Sequence, residues 1–231
     1  MSGPRQNIAA AAAFVLLLGP RVAIAGCDRA PARAPAPRGA RPQVITVRQY
    51  EDGGASRACP VQPQSTCETP GSVRLVVRNS LDSTKDSLVW KWRRGDAFEQ
   101  ADIGNPAGKA KYALCLYDSI ESARVLSASL VVEPGRGWTR DEAKGWQYKD
   151  PRGKSSGVTG LLLKSGEMGK TRVRLAASGP ELPLPPPASG SQFFHKDGSV
   201  VVQLVTSTSG QCWTSTFMTA KENNAASFVA P

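Results

Sequence analysis

The sequence predicts an all-β protein, an antiparallel two-sheet β-sandwich of immunoglobulin-like or jelly-roll type. Three observations predict it. Apolar residues recur with a period of two almost everywhere after Gly71. Gly, Pro, Asn, Asp and Ser separate these short runs, as turns require. The one plausible helical stretch, Thr139 to Lys144, is too short for more than a turn. Alternation gives each strand one face to bury, and two stacked sheets bury it.

The elements follow in order. Met1 to Asn7 is a short leader with Arg5, and Ile8 to Leu18 is an unbroken apolar run ended by Gly19-Pro20. The run is shorter than the roughly 20 apolar residues that span a bilayer. It reads as a secretory signal peptide over residues 1–26, so the rest folds outside the cytoplasm. Two processing routes fit. Ala23-Ile24-Ala25 suits ordinary cleavage, whereas Ile24-Ala25-Gly26-Cys27 resembles a lipobox that places lipid on Cys27. Lipidation would leave four of the five cysteines to pair.

Residues 27–50 form a Pro- and Arg-rich tether, expected to be extended and mobile, with Gln43 to Gln49 as a first strand or part of the tether. Residues 51–70 form a loop that holds Cys59 and Cys67, and residues 71–220 are the sandwich. Its strands are read at Val73/Leu75/Val77, Leu88/Trp90/Trp92, Tyr112/Leu114/Leu116, Arg124 to Glu133, Trp146/Tyr148, Leu161 to Leu163, Val173/Leu175, Val200 to Val205 and Trp213/Ser215/Phe217. Leu182 to Pro187 reads as polyproline II in a loop. Residues 221–231 read as a frayed tail.

The segments Val89-Trp-Lys-Trp-Arg-Arg-Gly95, Lys111-Tyr-Ala-Leu-Cys-Leu-Tyr-Asp118, Gly145-Trp-Gln-Tyr-Lys-Asp150, Gly157-Val-Thr-Gly-Leu-Leu-Leu-Lys-Ser-Gly166 and Gln211-Cys-Trp213 carry a resemblance. Together they resemble an uncharacterised secreted β-sandwich module recurrent in myxobacterial and related proteobacterial surface proteins, over about residues 71–219. The resemblance implies location, strand pattern and the positions of Cys115 and Cys212, and no activity.

An oxidising compartment makes pairing the default for Cys59, Cys67, Cys115 and Cys212. Three connectivities are possible, and Cys59–Cys67 with Cys115–Cys212 is the preferred one. The cysteines lack the Cys-x-x-Cys spacing of a zinc site, so no metal and no cofactor is expected.

The chain carries 29 basic and 19 acidic residues, a net charge of +10. Removing the leader takes Arg5 and Arg21 and leaves +8. Such an excess suits a solvated linker or attraction to an anionic partner, either envelope polysaccharide or an anionic membrane surface. Nucleic acid is not expected, because the compartment is wrong and no nucleic-acid fold is recognisable.

No catalytic residue is expected. His195 is the only histidine, Asp197 is two residues away, and no Gly-x-Ser-x-Gly elbow is present. It reads as a structural or surface residue before an Asp-Gly turn. Gly153-Lys154-Ser155 lacks the first glycine of a phosphate-binding loop, and Arg94-Gly95-Asp96 reads as an ordinary turn. Asp82 to Asp86 has acidic spacing, but Lys85 intrudes on any calcium site there.

The aromatic residues offer the one candidate ligand site. Trp138 lies in a Gly-rich stretch and is the best candidate for an exposed ring, with Trp146 and Tyr148 beside it. With Arg136 and Arg140 these rings would suit an acidic glycan; the alternative is packing over the end of the sandwich. The function expected is a non-enzymatic secreted or lipid-anchored surface module, binding or structural. A secreted hydrolase on the same scaffold and a ligand-free envelope spacer are the alternatives.

Overall fold

The computed structural model describes residues 58–141, 144–195 and 199–231. The signal peptide, the tether with Cys27 and the strand at Gln43 to Gln49, all expected from the sequence, lie outside the described residues, as does the Asp-Gly turn expected after His195.

The described chain is a two-sheet antiparallel β-sandwich. Its strands are β1 (Ser72–Arg78), β2 (Ser87–Arg93), β3 (Tyr112–Ile120), β4 (Ala123–Val132), β5 (Trp138–Asp141), β6 (Gly145–Lys149), β7 (Val158–Lys164), β8 (Arg172–Ser178), β9 (Val200–Thr206), β10 (Cys212–Phe217), β11 (Glu222–Asn224) and β12 (Ser227–Ala230). One helical turn, α1 (Gln100–Ile103), precedes β3. The large sheet has eight strands in the order β11-β12-β1-β2-β8-β7-β6-β5, and the small sheet has four in the order β10-β9-β3-β4.

Alternation decides which side chains meet between the sheets. Leu75, Val77, Trp90, Trp92, Leu161, Leu163, Val173 and Leu175 come from the large sheet, and Leu114, Leu116, Leu130, Val202, Leu204 and Trp213 from the small one; all are buried in one cluster. Two indoles stitch the layers together. Trp90 Nε1 donates to Ser215 Oγ at 2.8 Å, and Trp92 Nε1 donates to the Thr214 carbonyl at 3.0 Å.

Three expectations need correction. The C-terminal residues are not a frayed tail: β12 pairs with β1, and Phe228 and Ala230 are buried. The short apolar run Phe228-Val229-Ala230 has too little alternation to be read as a strand before its partner is known. Thr139 to Lys144 does not start a helical turn, because β5 runs through Asp141 and pairs with β6. The disulfides are Cys59–Cys115 and Cys67–Cys212, not the pairing expected. Strand order explains the last. Cys115 on β3 and Cys212 on β10 stand on either side of β9. Two inter-strand steps alone separate their Cα atoms by roughly 9–10 Å, and an offset of two residues along β9 adds to that; the distance exceeds the roughly 7 Å a disulfide spans.

Both bridges therefore fasten the 58–70 segment across the outer face of the small sheet. There Cys59, Cys115, Cys212, Tyr117, Val201 and Val205 form a second buried cluster. Gln203 extends from β9 into the segment, its side chain accepting from the Gln64 N–H and donating to the Gln64 carbonyl. Two disulfides mark a chain that matures in an oxidising, extracytoplasmic compartment. No helix among the described residues is long and apolar enough to cross a membrane.

Candidate functional site: the basic face of the large sheet

The small sheet is covered on its outer side by the stapled segment. The large sheet turns its outer face to solvent, and that face is basic. In β1 Arg74 alternates with buried Leu75 and Val77; in β2 Lys91 and Arg93 alternate with Trp90 and Trp92. In β8 Arg172 and Arg174 alternate with Val173 and Leu175, and in β7 Lys164 follows Leu161 and Leu163. The core side chains thus fix the cations on the opposite face.

Register aligns them. Arg74 pairs with Lys91, and Lys91 with Arg174, so three cations stand side by side on β1, β2 and β8. Two residues along the strands, Arg93 pairs with Arg172 and Arg172 with Lys164, a second row of three on β2, β8 and β7. Neighbours in a row are anchored about 4.8 Å apart, and the rows are about 7 Å apart. On the outer face of these paired strands the carboxylates stand at the margins, Asp141 on β5 and Glu222 on β11. Glu222 accepts from Ser227 and Asn224 and lies near Arg78, and these contacts hold its carboxyl below the usual range. Among the described residues none of the six cations forms a salt bridge.

Such an arrangement works against the fold. Like charges directly opposite one another destabilise a sheet. An anion bridging the rows removes that cost. Four of the six are arginines, whose planar guanidinium binds carboxylate, sulfate or phosphate through two hydrogen bonds. Two depressions flank the array. One, of about 240 Å³, lies over β1 and β2 beside Arg74, Lys91, Arg93 and Lys221. The other, of about 260 Å³, lies over β6, β7 and β8.

The aromatic platform expected at Trp138 does not form. Trp138 opens β5 and is 8 % exposed. Its ring packs between Tyr112 at 5.2 Å and Tyr148 at 5.3 Å, and its Nε1 donates to the Glu133 carbonyl at 3.1 Å. The glycines before it, Gly135 and Gly137, have positive φ and turn the chain so that the ring enters the core instead of leaving it. Tyr148 is buried too, and Trp146 is half-buried against the same cluster. Arg140 pairs across the hairpin with Trp146, and both line a shallow cavity beside α1, while Arg136 stays exposed in the preceding turn. Trp138 and Tyr148 therefore present no exposed ring, and of the three aromatics only Trp146 keeps part of its surface toward solvent.

His195 has a partner the sequence does not reveal. Its Nδ1 lies 2.7 Å from Asp118 Oδ2, and its backbone N–H donates to the same oxygen at 3.1 Å. Asp118 sits at the end of β3, and Oδ1 accepts from the Ser119 N–H. The nearby hydroxyls are engaged elsewhere. Arg124 donates to Ser119 Oγ at 2.5 Å, to Ser199 Oγ at 2.6 Å and to the Ser199 carbonyl. Among the described residues no serine hydroxyl bonds the imidazole, so the pair has an orienting carboxylate but no nucleophile. Its visible work is to tie the β8–β9 connection to the small sheet.

Arg94-Gly95-Asp96 is a turn in which Gly95 is buried and Arg94 is exposed. A Cβ on Gly95 would fall 2.0 Å from the Trp92 ring, and Asp96 accepts from the Thr69 N–H and hydroxyl. The chain matches no protein-family model, and no curated protein or solved structure is significantly similar to it.

Proposed function

We propose that this protein is a non-enzymatic, extracytoplasmic binding module, secreted or held to the envelope through Cys27, that takes linear acidic polysaccharide on the outer face of its large sheet. The six laterally paired cations carry the reading. Rows running across the strands suit a chain lying across them, with anionic groups meeting guanidinium and ammonium groups on both sides.

Two features favour polysaccharide over the other anionic surfaces. Trp90, Trp92, Trp138, Trp146, Tyr148 and Phe228 of the large sheet all belong to the inner face. The outer face thus lacks aromatic wedges for a bilayer interface and stacking platforms for single-stranded nucleic acid. The flanking depressions, moreover, give a ring-bearing polymer something to enter that a planar headgroup surface would leave empty.

The test is equilibrium binding at low salt to polygalacturonate, neutral dextran and vesicles of anionic phospholipid. The wild type is expected to bind polygalacturonate and not dextran. The quadruple variant Lys91→Ala, Arg93→Ala, Arg172→Ala, Arg174→Ala is expected to lose at least tenfold in affinity. Equal binding by both proteins overturns the reading. Binding to vesicles alone assigns the face to a membrane, and binding to none of the three favours a spacer.

A further inference from the structure

Gly160 occupies the interior of β7, where a glycine weakens a strand. Its side-chain position faces outward, between the buried Leu161 and the β-bulge that interrupts the β7–β8 register after Val158. Two structural reasons commonly demand glycine, and neither applies here. Its φ is not in the left-handed region, unlike those of Gly153 and Gly157 nearby. A Cβ built on it would meet only the Tyr148 carbonyl oxygen, at an ordinary 3.6 Å. A Cβ fits the backbone here, and glycine in a strand interior costs stability relative to alanine. What glycine leaves open is the space above.

That space is the 260 Å³ depression at the side of the basic array. Gly160 pairs with Ala176 on one side and Lys149 on the other. The next row pairs Gln147 with Leu162 and Leu162 with Arg174. The floor is therefore made of two small residues, a glycine and an alanine. Around it stand two cations, one amide that both donates and accepts, and one aliphatic side chain. Arg174 belongs to the array as well, so the depression continues the track of charge.

We infer that this depression is a subsite for a single anionic sugar ring of the bound chain, and that Gly160 and Ala176 set its specificity. The inference rests on the proposed polysaccharide reading. Arg174 and Lys149 take the ring's carboxylate or sulfate, Gln147 takes a hydroxyl, and Leu162 packs on a ring face. The volume lies below the roughly 300–1,000 Å³ of pockets for drug-sized ligands, which limits the occupant to one ring.

The test compares two polyanions, polygalacturonate and ring-free polyglutamate, on the wild type and on Gly160→Val. Valine is favoured in strands and leaves every cation in place. The wild type is expected to bind polygalacturonate at least tenfold more tightly than polyglutamate. Gly160→Val is expected to lose that preference, with polyglutamate affinity unchanged and a melting temperature equal to or above the wild type's. Ala176→Leu, which fills the same floor from β8, serves as the second variant should Gly160→Val melt early. If both variants keep the full preference, the subsite is wrong while the array reading stands. If the quadruple alanine variant also binds as the wild type does, both fail together.

Discussion

Asp118 is a buried carboxylate on which three donors converge: the His195 ring, the His195 N–H and the Ser119 N–H. Removing the charge while keeping the shape weakens all three bonds, and hydrogen bonds to charged groups contribute about 1.5–3 kcal/mol each. Asp118→Asn is therefore expected to lower stability by about 1–3 kcal/mol in urea titration and to raise proteolysis of the β8–β9 connection. An unchanged unfolding midpoint would show that the contact does no anchoring. Asp197 is the carboxylate nearest in sequence to His195, whereas Asp118 lies 77 residues away and reaches it only through folding. Gly95 is legible as a turn residue, but not as the one under the Trp92 ring. Gly95→Ala should cost about 1–3 kcal/mol from overpacking. The phenols report burial independently. Burial raises the Tyr117 hydroxyl to about 12 and pushes Tyr112 up as well. Between pH ~10 and ~12 the folded state keeps protons that the unfolded chain gives up, so stability falls as pH rises through that window. Absorbance titration at alkaline pH should show tyrosines ionising late, together with a falling melting temperature; ordinary titration with no loss of stability would contradict their burial.

Strand alternation made most of the strands readable one at a time, because it reflects which face of each strand is buried. What it could not give was lateral order. The disulfide pairing depends on β9 lying between β3 and β10, and no local pattern encodes that. The two bridges close loops with sequence separations of 56 and 145 residues, so each constrains the unfolded chain strongly. The chain-entropy relation gives roughly 4 and 5 kcal/mol for such loops taken singly. Cys59→Ser with Cys115→Ser should therefore lower the urea midpoint and loosen the segment around Pro60. Peptide mapping of the non-reduced protein should recover Cys59 with Cys115; recovery of Cys59 with Cys67 would overturn the strand order. The basic face has the same history. Arg172 and Arg174, or Lys91 and Arg93, are each visible as the polar half of a strand, but only register joins the cations of four strands into continuous rows. Trp138 misleads for the opposite reason. Glycines around an aromatic suggest a loop tip, yet here they bend the chain so that the ring turns inward.

Across the whole molecule, charge is concentrated by architecture and not only by composition. The small sheet faces outward onto a disulfide-stapled segment, and the large sheet faces outward with six aligned cations. Mutual repulsion on that face should make stability depend on salt. Raising sodium chloride from about 0.01 to about 0.3 M shortens the screening length from roughly 30 Å to under 10 Å. The melting temperature should then rise in the wild type, and rise less in the quadruple alanine variant. The same array should govern binding through release of counterions from the polymer, with an affinity that falls steeply with salt. The most direct measurement is the slope of log Kd against log salt concentration for polygalacturonate, taken for the wild type and for Arg172→Ala with Arg174→Ala. The slope should shrink by about two, roughly one for each cation removed. Identical slopes for the two proteins would place the anionic ligand elsewhere on the molecule.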